Sequence, residues 1–163
     1  DVKEYPFSQL RGMIGIVPQK AVLFKGTIRH NMQWRDKNAT DEDIWNALDI
    51  AQAKDFVEKK PDKLDEMILQ EGKNLSGGQR QRLTIARALV GDPEILILDD
   101  SASALDLATD ARLRKAIHEK TSGMTVFIVS QRISSIKSAD KIIVLDDGKI
   151  AGIGSHSELY NGC

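Results

Sequence analysis

Ile95-Leu96-Ile97-Leu98-Asp99-Asp100 is the stretch that decides the fold. Its four consecutive apolar residues predict a short buried strand, and its two carboxylates mark the point where that strand ends. A second apolar run follows at residues 125–129, with a helical pattern at residues 107–120 between the two. Apolar strands joined by a helix indicate a parallel sheet that is covered on both faces. The sequence therefore predicts an α/β fold.

An early strand and a helical block precede this region. The apolar residues 13–17 end at Pro18, as a strand that gives way to a loop does. Apolar residues at helical spacing run through residues 27–60, and Thr40 with Asp43 predicts a capping box at the start of one helix there. We therefore expect a helical insertion between the early strand and the later sheet.

The end of the chain shows a hairpin pattern. Residues 141–145 are mostly apolar and predict another strand. The pair Asp147-Gly148 follows, and Asp-Gly is a strong signal for a two-residue hairpin turn. The sequence thus predicts a strand, a tight turn and a return strand after the parallel sheet.

Bulk composition narrows the class of protein. The chain has 163 residues, 41% of them hydrophobic, which suits one domain with a real core. Its formal net charge of -1 gives no reason to expect a nucleic-acid partner. Cys163 is the only cysteine, so no internal disulfide can form and a reducing, cytosolic setting is expected. No apolar run approaches the roughly 20 residues that span a bilayer, and the absence of an initiator Met at Asp1 suggests an excerpt of a longer polypeptide.

A glycine-rich turn carries the strongest chemical signal. Leu75-Ser76-Gly77-Gly78-Gln79 precedes residues at helical spacing, so it predicts a turn that feeds a helix. The two glycines allow an anion to approach the backbone, Ser76 adds a hydroxyl donor, and the helix N-terminus supplies free N–H groups. The alternative is an ordinary helix cap with flexible glycines. In the first interpretation, an anion-binding turn, the terminal phosphate of a nucleotide would be a suitable ligand.

The two carboxylates Asp99 and Asp100 favour the nucleotide reading. They end a buried strand, and ligands of open α/β sheets bind at the carboxyl edge. An acid in this position holds magnesium in ATPases of the phosphate-loop class. Alone, the pattern also fits two solvated aspartates, but the preceding glycine turn makes that alternative weaker.

Taken together, these motifs resemble those of the ABC-family ATPases. The resemblance covers nearly the whole chain and identifies a Q-loop, a signature motif, a Walker B motif and a D-loop at residues 16–19, 74–82, 95–100 and 103–106. Residues 23–32 resemble the exporter branch, in which membrane helices are fused before the ATPase. The resemblance implies a P-loop NTPase (RecA-like) fold, a mostly parallel sheet with an inserted α-helical subdomain. Its regions would be residues 1–26, 27–90 and 91–163.

The same resemblance implies roles for individual residues. Gln19 would sense magnesium and the terminal phosphate, and Asp99 would organise the magnesium shell. Asp106 would lie at a dimer interface, although it is equally well placed to cap the following helix. The residues that would reach across a head-to-tail dimer to the partner's ATP are Ser76, Gly77, Gly78 and Gln79. The implied setting is the cytoplasmic face of the cell membrane, with ATP and Mg²⁺ as ligands and a fused or associated transmembrane domain.

Two positions depart from the family pattern. Asp100 stands where competent members carry a Glu that acts as general base, which shortens the reach by about 1.5 Å, one carbon–carbon bond. Gln131 stands where the switch region carries a His, and an amide cannot relay a proton as imidazole can. Gln70 also replaces an acidic residue of the exporter-type loop. With the signature intact, these departures predict one subunit of a heterodimer, weak at its own site and able to complete the partner's.

Two other functions stay open at this point. One is a regulatory dimerisation module that holds ATP without turning it over, and the other is an ABC ATPase of the DNA-repair type. The resemblance places the phosphate-binding loop before Asp1, so we expect residues 1–163 alone to bind ATP weakly or not at all. His30, His118 and His156 lack the spacing of metal ligands, and no metal site is expected beyond nucleotide-bound magnesium.

Overall fold

A computed structural model of the protein describes residues 1–121 and 123–161. Cys163 lies outside these residues. The chain forms two compact units, Asp1–Val129 and a second that begins at Ser130. The division at residues 26 and 90 that the sequence suggests stays a prediction.

The elements follow one another in α/β fashion. The strands described are β1 (Ile14–Val17), β2 (Gly26–Thr27), β3 (Met67–Ile68), β4 (Ile95–Asp99), β5 (Thr125–Val129), β6 (Ile142–Asp146) and β7 (Lys149–Gly154). The helices described are α1 (Phe7–Met13), α2 (Ile28–Gln33), α3 (Asp41–Ile50), α4 (Lys54–Glu58), α5 (Gly77–Leu89), α6 (Leu107–Lys120), α7 (Ile133–Ile136) and α8 (His156–Asn161). Each of these helices is too short or too polar to cross a bilayer.

The parallel sheet of the first unit has the order β1-β4-β5, with α6 as the crossover between β4 and β5. Leu96 and Leu98 on one face are buried in the hydrophobic core. Ile16, Phe127 and Val129 on the other face are 55–60% exposed. The parallel arrangement is confirmed. The described residues cover one face of this sheet, and the covering of the second face stays a prediction.

The helical block at residues 27–60 is confirmed as α2, α3 and α4. The predicted capping box begins α3: the Asp43 N–H donates to Thr40 Oγ1 at 3.2 Å, and the Thr40 N–H donates to Asp43 Oδ2 at 2.8 Å. The strands β2 and β3 pair antiparallel beside this block. The sequence pattern did not indicate that ribbon, because each of its strands has only two residues.

The second unit contains the predicted hairpin. β6 pairs antiparallel with β7, with an irregular register between Val144 and Leu145. Asp147 and Gly148 join the strands with φ of 45° and 73°, the two positive values that the tightest hairpin turn requires.

Arg35 ties the helical block to the first strand. Its guanidinium donates to the carbonyl of Gly12 at 2.7 Å, of Ile14 at 2.9 Å and of Val90 at 2.8 Å. Burial lowers the pKa of Arg35 from its usual value. One planar group thus satisfies carbonyls around the start of β1 and just after the end of α5, a geometry that a lysine ammonium cannot reproduce.

The substitution Arg35→Lys is expected to destabilise the first unit by about 2–3 kcal/mol, because at least two of the three carbonyls lose a charged donor. Unfolding of the intact protein, followed by the fluorescence of the adjacent Trp34, would measure this loss. The same change at the exposed Arg11, Arg11→Lys, serves as the control and should cost no more than about 0.5 kcal/mol. If Arg35→Lys and Arg11→Lys lowered the free energy of unfolding equally, the three carbonyl contacts of Arg35 would not contribute to stability.

Candidate active site

The glycine turn at residues 75–79, hereafter the signature turn, begins α5. Ser76 is the N-cap residue: the Gln79 N–H donates to Ser76 Oγ at 3.2 Å, and the Ser76 N–H donates to Gln79 Oε1 at 3.0 Å. This capping box confirms the helix start. Because Ser76 Oγ accepts a bond here, its own hydrogen stays available for donation to a ligand. Ser76 and Gly77 are exposed.

Gly72, three residues before the signature turn, allows the side chain of Arg80 to pack against the backbone there. Gly72 has a φ of 67°, and a Cβ atom there would lie 2.7 Å from Cδ of Arg80. The Arg80 guanidinium donates to the Leu75 carbonyl at 3.0 Å and to the Gly72 carbonyl at 3.4 Å. Arg80 therefore fixes the backbone at the first residue of the signature turn and just before it. This role of Arg80 was not predicted from the sequence.

The D-loop, residues 103–106, lies against the signature turn. A Cβ atom on Gly78 would stand 3.4 Å from the Ala104 carbonyl oxygen, so the two segments are in close contact. Asp106 caps α6, as one of its two expected roles requires: it accepts from the Thr109 N–H at 2.9 Å and from the Thr109 hydroxyl at 2.8 Å.

These bonds from Thr109 hold the pKa of Asp106 below its usual value. In the unfolded chain an aspartate carboxyl has a pKa of about 4. The cap therefore contributes stability above that pH, and this contribution is lost as the pH falls through the lowered folded-state pKa.

Gln19, Asp99 and Asp100 lie at the carboxyl edge of the parallel sheet. The Gln19 side chain follows the end of β1, and its Nε2 donates to Asp100 Oδ2 at 3.4 Å, a long hydrogen bond across 81 positions of sequence. Asp99 is the last residue of β4 and is exposed. The structure thus brings together the Gln19 amide and the Asp100 carboxylate, two of the groups that the motifs singled out. Carboxylate and amide oxygens are ligands that Mg²⁺ accepts.

The backbone of Asp100 is unusual. Its φ is 42°, in the left-handed region, its N–H donates to the Val129 carbonyl at 2.9 Å, and its carbonyl accepts from the Ser103 N–H at 3.2 Å. Asp occupies this region more readily than longer residues without a local hydrogen-bonding side chain. The short acid therefore suits the backbone at this position.

Gln131 belongs to the second unit. It follows the start of that unit at Ser130, is exposed, and precedes Arg132, whose N–H donates to Ser130 Oγ at 3.0 Å.

Among the described residues no group of three or more His, Cys, Asp or Glu side chains could hold a metal ion by itself.

A parallel sheet with carboxylates at its carboxyl edge, together with a glycine turn that begins a helix, corresponds to part of the P-loop NTPase fold. The sequence profile described as ABC transporter matches residues 1–103, and the chain belongs to the ABC transporter family. A solved structure of a bacterial Atm1-family ABC exporter with ATP bound matches with a TM-score of 0.90 and 36% identity, over 95% of this chain and 27% of that one.

Curated relatives agree with this family. The chain is 44% identical to the uncharacterized ABC transporter ATP-binding protein YwjA of Bacillus subtilis, over 97% of this chain and 28% of that protein. It is also 44% identical to the probable multidrug resistance ABC transporter ATP-binding/permease protein YheI of Bacillus subtilis, over 97% of this chain and 27% of that protein. The chain therefore spans less than a third of the length of these relatives.

Proposed function

We propose that this chain is part of the ATP-hydrolysing domain of an ABC exporter. In this proposal it binds MgATP at a head-to-tail dimer interface on the cytoplasmic face of the membrane and drives transport through a fused or associated transmembrane domain. The pairing of an intact signature turn with carboxylates at the sheet edge supports ATP binding. The similarity to an exporter and to an ATP-binding/permease protein supports the coupling to transport.

In the proposed dimer, the signature turn serves the partner's nucleotide. The hydroxyl hydrogen of Ser76 and the N–H groups of Gly77 and Gly78 would donate to the terminal phosphate, where the N-terminal end of α5 also favours negative charge. Gln79, whose own N–H is bound to Ser76 Oγ, would reach the partner's nucleotide with its side chain. Asp106, besides capping α6, would lie at the same interface.

The chain's own carboxylates would serve its own nucleotide. Asp99, exposed at the end of β4, would hold Mg²⁺ through its carboxylate, and Gln19 would face the terminal phosphate from the loop after β1. When bound, Mg²⁺ supplies neutralisation of the phosphate charge. Asp100 would accept the proton of the attacking water, and Gln131 would donate a hydrogen bond to the phosphate.

The observation that carries a heterodimer is the contrast between these two halves. Asp100 and Gln131 both depart from the residues of competent members, whereas residues 75–79 do not. Since Asp100 is one methylene short and a misplacement of about 1 Å can cost on the order of 100-fold in rate, its own site would hydrolyse slowly. The signature turn would complete a faster site on a different polypeptide.

A regulatory dimerisation module is the second candidate, and the same two departures favour it. The regulatory module differs from the exporter ATPase in one testable respect: it predicts that no ATP hydrolysis depends on the signature turn of this chain. The three regions at residues 1–26, 27–90 and 91–163 also remain part of the proposal, with the middle one as the helical subdomain that contains the signature turn.

Trapping with vanadate and a photoreactive ATP analogue would test the heterodimer in the assembled transporter. Vanadate holds ADP at sites that have completed hydrolysis, so the label is expected on the partner polypeptide and at most weakly on this one. The control is Ser76→Ala in this chain, which should remove the label from the partner. Equal labelling of two identical polypeptides would contradict the heterodimer, and no labelling at all would favour the regulatory module.

A further inference from the structure

Arg82 lies one helical turn after Gly78 on α5 and connects the start of this helix to the end of α3. Its Nη1 donates to the Gln52 carbonyl at 2.6 Å, and its Nε donates to the Gly78 carbonyl at 3.3 Å. One planar guanidinium therefore binds both the first turn of α5 and the segment just after α3, which its fork of donors allows.

The acceptor on the α3 side belongs to a well-defined helix end. Gln52 follows α3 with a φ of 59°. Its N–H donates to the Asp49 carbonyl at 3.1 Å, and the Ala53 N–H donates to the Leu48 carbonyl at 2.7 Å. These two bonds form a Schellman motif, which fixes the backbone where a helix ends. The C-terminal end of a helix also favours a nearby cation, so the Gln52 carbonyl is a suitable anchor for Arg82.

An aromatic ring provides a second anchor for the guanidinium. The central carbon of Arg82 lies 4.9 Å from the centre of the Phe56 ring on α4, within the range of a cation–π contact. Phe56 is partly buried and packs against the hydrophobic core. The position of the Arg82 side chain is therefore set by the end of α3 and by α4 as well as by its own helix.

The D-loop lies close to the same point. Burial lowers the pKa of Arg82 from its usual value, and the negative charge of Asp106 acts in the opposite direction. Gly78, whose carbonyl accepts from Arg82, is also the residue whose Cβ position stands 3.4 Å from the Ala104 carbonyl oxygen. Arg82 thus binds α5 where the signature turn and the D-loop meet.

The bonds within the signature turn are local by comparison. Its capping box joins Ser76 to Gln79, three positions away, and so shapes the helix start without setting where that start lies. Arg80 binds carbonyls of the turn and of the residues just before it. The bond from Arg82 to Gln52 spans 30 positions of sequence and relates the first turn of α5 to the helices of the helical block.

We propose that Arg82 is a positioning residue for the signature turn. Its guanidinium holds the first turn of α5 against the connection between α3 and α4, so that the donors of Ser76 and Gly77 occupy a fixed place. Arg82 acts through Gly78 and not by contact with a nucleotide. This inference rests on the proposed function, because the place of the turn matters to turnover only if the turn serves a nucleotide.

The test is ATP turnover of the assembled transporter with Arg82→Met and Arg82→Lys. Arg82→Met is expected to lower kcat by about 10-fold, because displacing a reacting group by about 1 Å costs on the order of 100-fold and a loosened turn spends part of its time in place. Arg82→Lys keeps one charged donor for the Gln52 carbonyl and should recover kcat to within about threefold of the parent. KM for ATP should change by less than about twofold, since Arg82 does not contact the nucleotide.

Arg11→Met is the matched control for Arg82→Met. The central carbon of Arg11 also lies 4.9 Å from the centre of a phenylalanine ring, that of Phe7 on α1, so this variant loses the same kind of contact outside the signature turn. It should leave kcat unchanged. If Arg82→Met and Arg11→Met had the same kcat, Arg82 would have no positioning role.

Phe56→Leu tests the proposal even if Arg82→Met does not assemble. Leu keeps an apolar side chain against the core but removes the ring beside the guanidinium, so kcat is expected to fall by about threefold, the usual strength of such a contact. An unchanged kcat would overturn the proposal.

A double-mutant cycle with Ser76→Ala separates positioning from folding. If Arg82 acts through the turn, Arg82→Met lowers kcat less in the Ser76→Ala background than in the parent, because the hydroxyl that it positions is already absent. The same factor in both backgrounds would indicate a purely structural role and overturn the proposal. Ser76→Ala alone tests the proposed function: if it lowers turnover while Arg82→Met does not, only the present inference is lost.

Discussion

Replacing Ser76 with Ala is expected to lower ATP turnover of the assembled transporter by about 100-fold, the usual effect of removing one donor to a developing phosphate or oxyanion charge. The hydroxyl hydrogen of Ser76 is free, because its oxygen already accepts from the Gln79 N–H. The variant therefore loses the donor and the cap at once. Phosphate release at saturating ATP measures the effect.

Thr40→Ala separates these two losses. Thr40 and Asp43 form a capping box on α3 of the same kind that Ser76 and Gln79 form on α5. Losing either N-cap hydroxyl should cost about 1 kcal/mol of stability. Only the Ser76 variant should lose turnover, so a comparable loss with Thr40→Ala would assign the effect to helix stability and contradict the proposed contact.

Asp100→Asn provides the comparison within the site. If this chain's own site is already slow, removing its acid should lower total turnover by less than about threefold, since the partner's site carries most of the flux. Losses as large as those from Ser76→Ala would contradict the division of labour between the two sites.

The double substitution Asp100→Glu with Gln131→His is expected to raise hydrolysis at this chain's own site by about 10- to 100-fold, as restored reach and a proton-carrying imidazole recover a misplaced group. Vanadate-dependent labelling of this polypeptide would measure the gain independently of the partner. Neither single substitution should reach the same level, because each leaves one departure in place. Unchanged labelling would favour the regulatory module.

The backbone at Asp100 limits this gain. Asp100 has a φ of 42°, and a Glu there has a longer side chain without the same local hydrogen bonding. Asp147→Glu in the hairpin turn is the control, because Asp147 has a φ of 45° and no place in the proposed site. The loss of stability from Asp147→Glu estimates the conformational cost of Asp100→Glu. If the two variants lose similar stability, the gain in hydrolysis from Asp100→Glu is due to the longer reach of its carboxylate.

Local hydrogen bonds explain why much of the fold could be predicted. Thr40 with Asp43, Ser76 with Gln79 and Asp106 with Thr109 each join residues three positions apart, so a short pattern contains both partners. The helix at residues 107–120 and the strand at residues 125–129 were predicted with the bounds that the structure has.

Distant partners explain what could not be predicted. The ribbon of β2 and β3 has two residues in each strand, too few to give an alternating pattern. Arg35 contacts a carbonyl 55 positions away, and a charged residue in a polar stretch gives no sign of such a partner. Asn74 and Arg80 bind backbone groups five to eight positions away, but those groups lie in irregular segments without a periodic pattern that would indicate them.

The sequence by itself determined the class of fold, the helix starts and the residue types available for nucleotide chemistry, because periodicity and capping act over a few neighbouring residues. Only the tertiary structure decided that Gln19 meets Asp100, that Asp100 has a left-handed backbone, and that Arg35 binds carbonyls from two distant segments. Those features depend on how segments far apart in the chain pack, and packing is set by the shape and burial of every neighbouring side chain together.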